Sequence, residues 1–135
     1  MENVRVMLVD DEVGFTSTLS KRMRRQGLMV ETASGGEEAL GVLSTEPVDV
    51  VVLDMKMPGM DGIQTLKSIR QHHEDVEVIL LTGHADIADA VESMTLGAFD
   101  FLVKPANTEL LMCRIRDAAA GAQLRKNSQA QAVAV

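Results

Sequence analysis

Aromatic side chains and cysteine are both scarce in this chain of 135 residues, which contains three Phe, no Tyr, no Trp and one Cys. Its hydrophobic core must therefore consist of Val, Leu, Ile, Ala and Met. The single cysteine, Cys113, excludes an intramolecular disulfide and fits a reducing compartment. We accordingly expect a cytoplasmic protein that is held together by packing rather than by cross-links.

Long hydrophobic runs and net positive charge are also absent. No apolar run reaches the ~18 residues of a membrane span, and residues 1–5 lack the basic start and apolar stretch of a signal peptide. The chain has 20 acidic and 13 basic residues, whereas a general nucleic-acid binder needs a basic face to neutralise phosphates. The sequence therefore predicts neither membrane contact nor direct binding of nucleic acid.

The chain does contain a regular alternation of short apolar runs with amphipathic stretches. The apolar runs predict strands at Val4–Val9, Leu28–Thr32, Val48–Leu53, Val76–Leu81 and Phe99–Val103. The amphipathic stretches predict helices at Val13–Gln26, Gly36–Leu43, Asp61–Gln71, Ile87–Leu96 and from Thr108 to about Leu124. Because the strands are almost continuously apolar, they indicate an α/β domain whose parallel sheet is covered on both faces.

The bounds of this domain follow from the same pattern. We place it at residues 1–125, with Phe15, Leu19 and Met23 recurring every fourth residue in its first helix. Residues 126–135 are rich in Ala and Gln and predict a disordered tail. No output domain is expected within the chain.

Several residues that follow the predicted strands carry reactive or charged side chains. We expect these side chains to lie together, because the carboxyl ends of parallel strands meet at one edge of a sheet. Asp10 and Asp11 follow the first strand, and Asp54 follows the third. Thr82 follows the fourth strand and Lys104 the fifth. This edge therefore combines carboxylates, a hydroxyl and an ammonium group.

Such a set of groups suits phosphoryl transfer to a carboxylate. Crowded carboxylates repel one another, and Mg²⁺ relieves the repulsion while keeping open positions for phosphate oxygens. A carboxylate beside Mg²⁺ can attack phosphorus and form an aspartyl phosphate, while a lysine neutralises charge on the transferring group. Asp54 is the candidate nucleophile, Lys104 the candidate cation, and Thr82 a hydroxyl that can donate to a phosphate oxygen.

Four sequence blocks resemble a known family. They are VMLVDDE (Val6–Glu12), VVVLDMKMPGMDG (Val50–Gly62), ILLTGHAD (Ile79–Asp86) and GAFDFLVKP (Gly97–Pro105). In their order and spacing the chain resembles the receiver domain of bacterial two-component response regulators. The last two blocks most resemble receivers of nitrogen-regulatory-type transcriptional activators. The resemblance implies a flavodoxin-like (βα)5 fold, a doubly wound five-stranded parallel sheet with strand order 2-1-3-4-5.

The resemblance implies a phosphorylation site and a metal site. Asp54 is expected to be the phosphoacceptor. Mg²⁺, which Mn²⁺ can replace, is expected to be ligated by Asp11, Asp54 and the main-chain carbonyl of Lys56. Asp10 is expected to contribute through a bound water.

The resemblance also implies how the phosphoryl group is held and sensed. Thr82, Gly83 and Lys104 are expected to contact its oxygens. Thr82 and Phe101 are expected to move together as a conformational switch. The Lys104-Pro105 peptide bond is expected to be cis, an isomer that is rare except before proline.

Two features of the loops are hypotheses from the same resemblance. Lys56 and His84 lie two residues after Asp54 and Thr82, at positions that flank the path of the hydrolytic water, and we predict that they tune the aspartyl-phosphate lifetime. The segment MPGMDG at residues 57–62 predicts a tight loop, in which Gly59 and Gly62 permit positive φ angles.

Other functional classes fit the residues less well. A phosphatase of the haloacid-dehalogenase group needs a second acid two residues after its nucleophile, and Lys56 occupies that position. A flavodoxin-like module needs a hydroxyl-rich loop and aromatic residues to hold its flavin. A degenerate receiver, which acts as an interaction module without phosphorylation, is disfavoured by the complete set of site residues.

The implied partners follow from the receiver resemblance. A histidine kinase or phosphotransfer protein is expected to donate the phosphoryl group. Residues Ala85–Leu124, covering the fourth helix, fifth strand and fifth helix, are expected to change and to recruit an effector or a second copy. The chain is not expected to be an enzyme, beyond catalysing its own phosphorylation and dephosphorylation.

Overall fold

The computed structural model describes the backbone of residues 3–134 and the side chains of residues 3–127. All ten predicted elements are present. The strands are β1 (Arg5–Val9), β2 (Met29–Ala33), β3 (Val50–Asp54), β4 (Glu77–Thr82) and β5 (Asp100–Val103). The helices are α1 (Val13–Arg25), α2 (Gly36–Thr45), α3 (Gly62–His72), α4 (Ile87–Met94) and α5 (Thr108–Ala134). A short 3-10 helix, His84–Asp86, precedes α4.

The five strands form one parallel sheet in the order β2-β1-β3-β4-β5, which confirms the predicted fold and strand order. The register aligns the ends of the strands that carry the candidate site. Val9 of β1 lies opposite Leu53 of β3, so the next residues, Asp10 and Asp54, emerge side by side. Thr82, the last residue of β4, lies opposite Val103 of β5, directly before Lys104.

The three middle strands β1, β3 and β4 are buried on both faces, as their apolar sequences predicted, whereas most residues of the edge strand β2 are exposed. Alternate residues of β3 face opposite sides: Val51 and Leu53 join the core that packs under α2, α3 and α4. Val50 and Val52 join the core under α1 and α5. Each such side chain contributes roughly 1.5–3 kcal/mol when it is fully buried. The strand that ends in Asp54 is therefore held by packing on both of its faces.

The last helix is longer than the sequence predicted. We expected α5 to end near Leu124, but its backbone stays helical to Ala134. Residues 125–134 contain no Pro or Gly to stop the helix, and their Ala, Gln, Arg and Lys residues favour helix. Lys126 also anchors the helix, since its Nζ donates to the carbonyl of Val48 and to Asp49 Oδ1, both at 3.1 Å.

The expected disorder of residues 126–135 in solution stays a prediction, and Val135 lies outside the described residues. No helix in the described part of the chain is both long enough and apolar enough to cross a membrane.

Candidate functional site

Three carboxylates converge at the carboxyl edge of the sheet. Asp10 and Asp54 are almost fully buried, at 3% and 7% exposure, whereas Asp11 faces solvent. One carboxylate oxygen from each residue lies within 4.8 Å of the others. The backbone amide of Glu12 donates to Asp10 Oδ1 at 3.0 Å, which fixes the Asp10 side chain. The structure thus brings together the acidic residues that the strand ends predicted.

Lys104 joins two of these carboxylates. Its Nζ lies 3.1 Å from Asp10 Oδ2 and 3.3 Å from Asp54 Oδ1. Its backbone is fixed to the neighbouring strand, because the Lys104 amide donates to the Thr82 carbonyl at 2.7 Å. The Lys104-Pro105 bond is cis, the isomer that the resemblance implied. Lys104 is therefore placed to neutralise a group that approaches Asp54.

One lysine does not balance the negative charge of the site. Burial raises the pKa of Asp54 above its ordinary 3.8, and the charge of Asp10 raises this pKa further, although Lys104 opposes both effects. Burial alone would lower the pKa of Lys104, but its hydrogen bond with Asp10 and the charges of both carboxylates raise this pKa overall. The two upward shifts are consistent with each other. The ammonium of Lys104 is stabilised by two carboxylates, whereas Asp54 must share this one cation with Asp10.

This donor set fits a hard divalent cation. Two nearly buried carboxylates and an exposed third offer oxygen ligands of the kind that Mg²⁺ prefers, and the raised pKa of Asp54 marks an incompletely compensated negative charge. Among the described residues, no other group of three His, Cys, Asp or Glu side chains comes close enough to hold an ion.

The predicted switch residues lie on the adjoining strands. The side chain of Thr82 is fully buried, and its hydroxyl donates to the carbonyl of Gly83 at 3.2 Å. Phe101 is half-buried and packs against the core under α2, α3 and α4. The Thr82 hydroxyl is thus held by the backbone of the next residue, Gly83, and has no described contact with Asp54.

The loop after Asp54 is shaped by two glycines, for different reasons. Gly59 has a φ of 78°, as predicted from its permissive backbone. Gly62 does not have a positive φ, contrary to our expectation; instead it allows a close approach. A Cβ added at Gly62 would lie 2.5 Å from the Cα of Met55 and 2.9 Å from the carbonyl oxygen of Asp54. The side chain of Asp61 then caps α3, accepting from the Gln64 amide at 2.9 Å.

The two candidate lifetime-tuning residues both face solvent. The Lys56 side chain is 74% exposed, and its Nζ lies 3.4 Å from Asp86 Oδ1. The Lys56 amide donates to Asp54 Oδ1 at 3.4 Å. His84 is exposed at the start of the 3-10 helix. Asp86 was not singled out from the sequence, because no local pattern pairs residues from two different loops.

Phe15 is a second residue whose position at the site was not predicted from the sequence. It shares the spacing of Leu19 and Met23, which are buried, yet Phe15 itself is 36% exposed. Its ring lies near the site, with the Lys104 Nζ 5.1 Å from the ring centroid. The contact joins residues 89 positions apart in sequence, so only the fold reveals it.

The match of a family model decides what these features belong to. The model described as "response regulator receiver domain" matches residues 6–116. The chain belongs to the response regulator receiver domain family. Its site, with Asp54 at the end of β3 and Lys104 after β5, is the acidic edge of a receiver domain. The resemblance given by the four sequence blocks is therefore confirmed.

Individual relatives agree with this assignment. The receiver is 41% identical over 126 residues to the probable transcriptional regulator ycf27 of Guillardia theta, covering 93% of this chain and 47% of that protein. It is 41% identical over 98 residues to the DNA-binding transcriptional regulator NtrC of Klebsiella pneumoniae, covering 73% of this chain and 21% of that protein. The second match supports the expected likeness to nitrogen-regulatory-type receivers.

Solved structures confirm the fold. A response regulator receiver domain protein from Clostridium thermocellum superposes with a TM-score of 0.85 at 32% identity, covering 90% of this chain and 98% of that one. The chain spans less than half the length of the curated relatives named above. The chain therefore matches the receiver domain of these relatives, which is the signal-receiving part of response regulators of two-component systems.

Proposed function

We propose that this receiver domain is a signalling switch that is thrown when Asp54 accepts a phosphoryl group from a partner histidine kinase or phosphotransfer protein. One observation carries the proposal. The nearly buried Asp54 carboxylate lies 3.3 Å from the ammonium of Lys104 and within 4.8 Å of carboxylate oxygens of Asp10 and Asp11. This is the arrangement that a carboxylate needs in order to act as a nucleophile toward phosphorus.

The proposed reaction is a direct exchange of bonds at phosphorus. A carboxylate oxygen of Asp54 forms a new O–P bond as the P–N bond of the donor phosphohistidine breaks, and the imidazole nitrogen keeps the electron pair. Asp11, Asp54 and the Lys56 carbonyl would hold Mg²⁺ or Mn²⁺, with Asp10 acting through a water. When bound, the metal would neutralise charge on the transferring group.

The remaining site residues hold and sense the product. Lys104 exchanges its carboxylate partners for a phosphoryl oxygen, since its ammonium already lies beside Asp54. The amide of Gly83 and the hydroxyl of Thr82 donate to the other oxygens. For this the Thr82 hydroxyl must leave the Gly83 carbonyl, to which it is now bonded at 3.2 Å. Phe101 then moves inward into the space near Thr82.

The output of this switch is the surface formed by α4, β5 and α5. It carries exposed apolar side chains, among them Val91 at 54% and Leu110 at 44% exposure. Large exposed apolar residues at an element that changes shape are suited to reversible recruitment of a partner. We propose that the partner is a downstream effector or a second copy of the receiver, and that the protein acts in the cytoplasm.

Incubation with Mg²⁺ and acetyl phosphate tests the proposal without a kinase. Intact-mass spectrometry should show one added phosphoryl group on the unaltered chain and none on Asp54→Ala. Omission of the metal should also prevent the addition. If the unaltered chain gains no phosphoryl group, the domain is instead a phosphorylation-independent interaction module.

A further inference from the structure

Phe15 is an aromatic side chain without an obvious structural task. It is one of three aromatic residues in the whole chain, and it lies on the first turns of α1, above the carboxyl edge of the sheet. Leu19 and Met23 occupy the same helix face and are buried in the core, whereas Phe15 remains 36% exposed. Packing of the core therefore does not account for a large aromatic ring at this position.

The ring lies against the functional lysine. The Lys104 Nζ is 5.1 Å from the centroid of the Phe15 ring, within the ~6 Å range of a cation–π contact. The same ammonium contacts Asp10 at 3.1 Å and Asp54 at 3.3 Å, so it is held between two carboxylates and one aromatic face. Phe15 and Lys104 also line a cavity of about 340 Å³ together with Pro105.

We propose that Phe15 is a positioning residue for phosphorylation, and that its aromatic face holds the Lys104 ammonium at the site while the lysine exchanges Asp10 and Asp54 for phosphoryl oxygens. The inference rests on the proposed function and adds a residue to its site. A carboxylate partner competes with the phosphoryl group for the ammonium. An aromatic face attracts the same cation through its quadrupole and does not have to be released when the lysine turns to a new anion.

The ring also limits the conformational freedom of the Lys104 side chain, which could otherwise turn away from Asp54 into solvent. Lysine carries about 2 kcal/mol of rotamer entropy, and Lys104 must be held near Asp54 before the phosphoryl group arrives. A ring beside the ammonium narrows this freedom and displaces water from one face of the cation. The effect depends on the electrons of the ring and not on its volume alone, which makes it separable from packing.

Graded fluorination of the ring tests this dependence. Site-specific replacement of Phe15 by 4-fluoro-, 3,5-difluoro- and 3,4,5-trifluorophenylalanine removes electron density from the face in steps at almost constant size. With Mg²⁺ and acetyl phosphate, the phosphorylation rate should fall stepwise, to about two- to fivefold below the unaltered chain for trifluorophenylalanine and for Phe15→Leu. That fold-change corresponds to ~0.5–1 kcal/mol, the usual strength of a partly exposed cation–π contact. Phe15→Tyr should keep the rate.

Phe99 provides the matched control, because it packs against the core under α1 and α5. The same fluorination series at Phe99 should leave the rate unchanged. A second readout needs neither metal nor phosphodonor: the ring current of Phe15 should shift the Lys104 ε-methylene proton signals upfield, and Phe15→Leu should abolish this shift.

The outcomes separate this inference from the function on which it rests. A flat rate across the Phe15 series, with normal phosphorylation of the unaltered chain, would contradict the role of Phe15 and leave the switch intact. Unchanged Lys104 signals in Phe15→Leu would contradict the contact itself. If the unaltered chain is not phosphorylated at all, the proposed function fails and the inference fails with it.

Discussion

The side chains of the candidate site carry an excess of negative charge. Three carboxylates face one ammonium, and two of them are nearly buried, where repulsion is least screened by water. Such a site costs folding stability unless a bound cation neutralises part of the negative charge. Asp54 shows this cost most clearly, because burial and the charge of Asp10 both raise its pKa.

Removal of the Asp54 charge should therefore stabilise the metal-free domain at neutral pH. The folded carboxyl has a pKa above its ordinary 3.8, so it binds a proton in a window of pH where the unfolded carboxyl does not. Its ionisation lowers stability as pH rises through that window. We expect Asp54→Asn to unfold at a higher temperature than the unaltered chain at pH 7, with the difference closing below about pH 3.8. A less stable Asp54→Asn at pH 7 would refute this account of the charge.

The lifetime of the phosphorylated state should depend on the two solvent-facing residues near the site. Lys56 and His84 are exposed and lie in the two loops that follow β3 and β4, close in sequence to Asp54 and Thr82. We expect Lys56→Ala and His84→Ala each to change the rate of phosphate loss severalfold, followed by intact mass over time. Lys67→Ala, on the exposed face of α3, is the control. Lifetimes that match the control would remove both residues from this role.

Among elements, the loop between β3 and α3 sets the geometry of the site. It turns sharply enough that Gly62 packs against the carbonyl of Asp54, and the capping box of Asp61 with Gln64 then starts α3. Because the Lys56 carbonyl lies in this loop, its position depends on the turn. The loop thus links a packing constraint at Gly62 to the ligand set proposed for the metal.

Gly62→Ala should damage both stability and phosphorylation. The added Cβ would meet backbone atoms of Met55 and Asp54 at 2.5 and 2.9 Å, so the loop must shift. We expect a loss of about 1–3 kcal/mol in the free energy of unfolding and slower labelling by acetyl phosphate. Gly41→Ala in α2, where nothing lies within 4 Å, should instead add roughly 0.5–1 kcal/mol. The free energy of unfolding of both variants can be measured by denaturant melts. If it changes equally in both, the close approach of Gly62 to the backbone is not the cause.

The elements themselves were largely predictable from sequence, for physical reasons. Strands buried on both faces are apolar almost throughout, as in VVVL of β3, whereas helices such as α1 and α3 bury only one face and alternate apolar with polar positions. The polar residues after each strand then marked the site, because parallel strands end at the same edge. Asp10, Asp54, Thr82 and Lys104 were found in this way.

What could not be predicted depends on contacts between distant segments. Fourfold spacing grouped Phe15 with Leu19 and Met23, which are buried, but Phe15 lies near the start of α1, is 36% exposed and contacts Lys104. The ion pair between Lys56 and Asp86 joins two loops that only the fold brings together. The length of α5 was not predicted, because Lys126 anchors the helix to Asp49, which directly precedes β3 and is distant in sequence.

On the scale of the whole molecule, the proposed switch requires the site to be coupled to the surface formed by α4, β5 and α5. The site lies at the carboxyl ends of the strands, while the apolar face of α4 and α5 lies beside β5, at the edge of the sheet. Thr82 on β4 is fully buried, and Phe101 on β5 packs against the core under α2, α3 and α4. Both residues therefore lie on the strands between the site and the surface that we propose to recruit a partner.

If that surface recruits a second copy, phosphorylation should change the oligomeric state. We expect the chain treated with Mg²⁺ and acetyl phosphate to elute earlier from a sizing column than the untreated chain. Val91→Asp should abolish the shift without preventing phosphorylation, since Val91 is 54% exposed on α4. Met29→Asp, at the far edge of the sheet on β2, should keep it. No change in elution of the phosphorylated chain would exclude the second copy as the partner.

Identification of the residue that carries the phosphoryl group tests the central claim most directly. Borohydride reduces an aspartyl phosphate to homoserine, with loss of phosphate, so the modified position can be read by peptide sequencing in a mass spectrometer. After treatment with Mg²⁺ and acetyl phosphate, the account predicts homoserine at residue 54 alone. Homoserine at Asp10, Asp11 or another aspartate, or none at all in a chain that has gained phosphate, would contradict it.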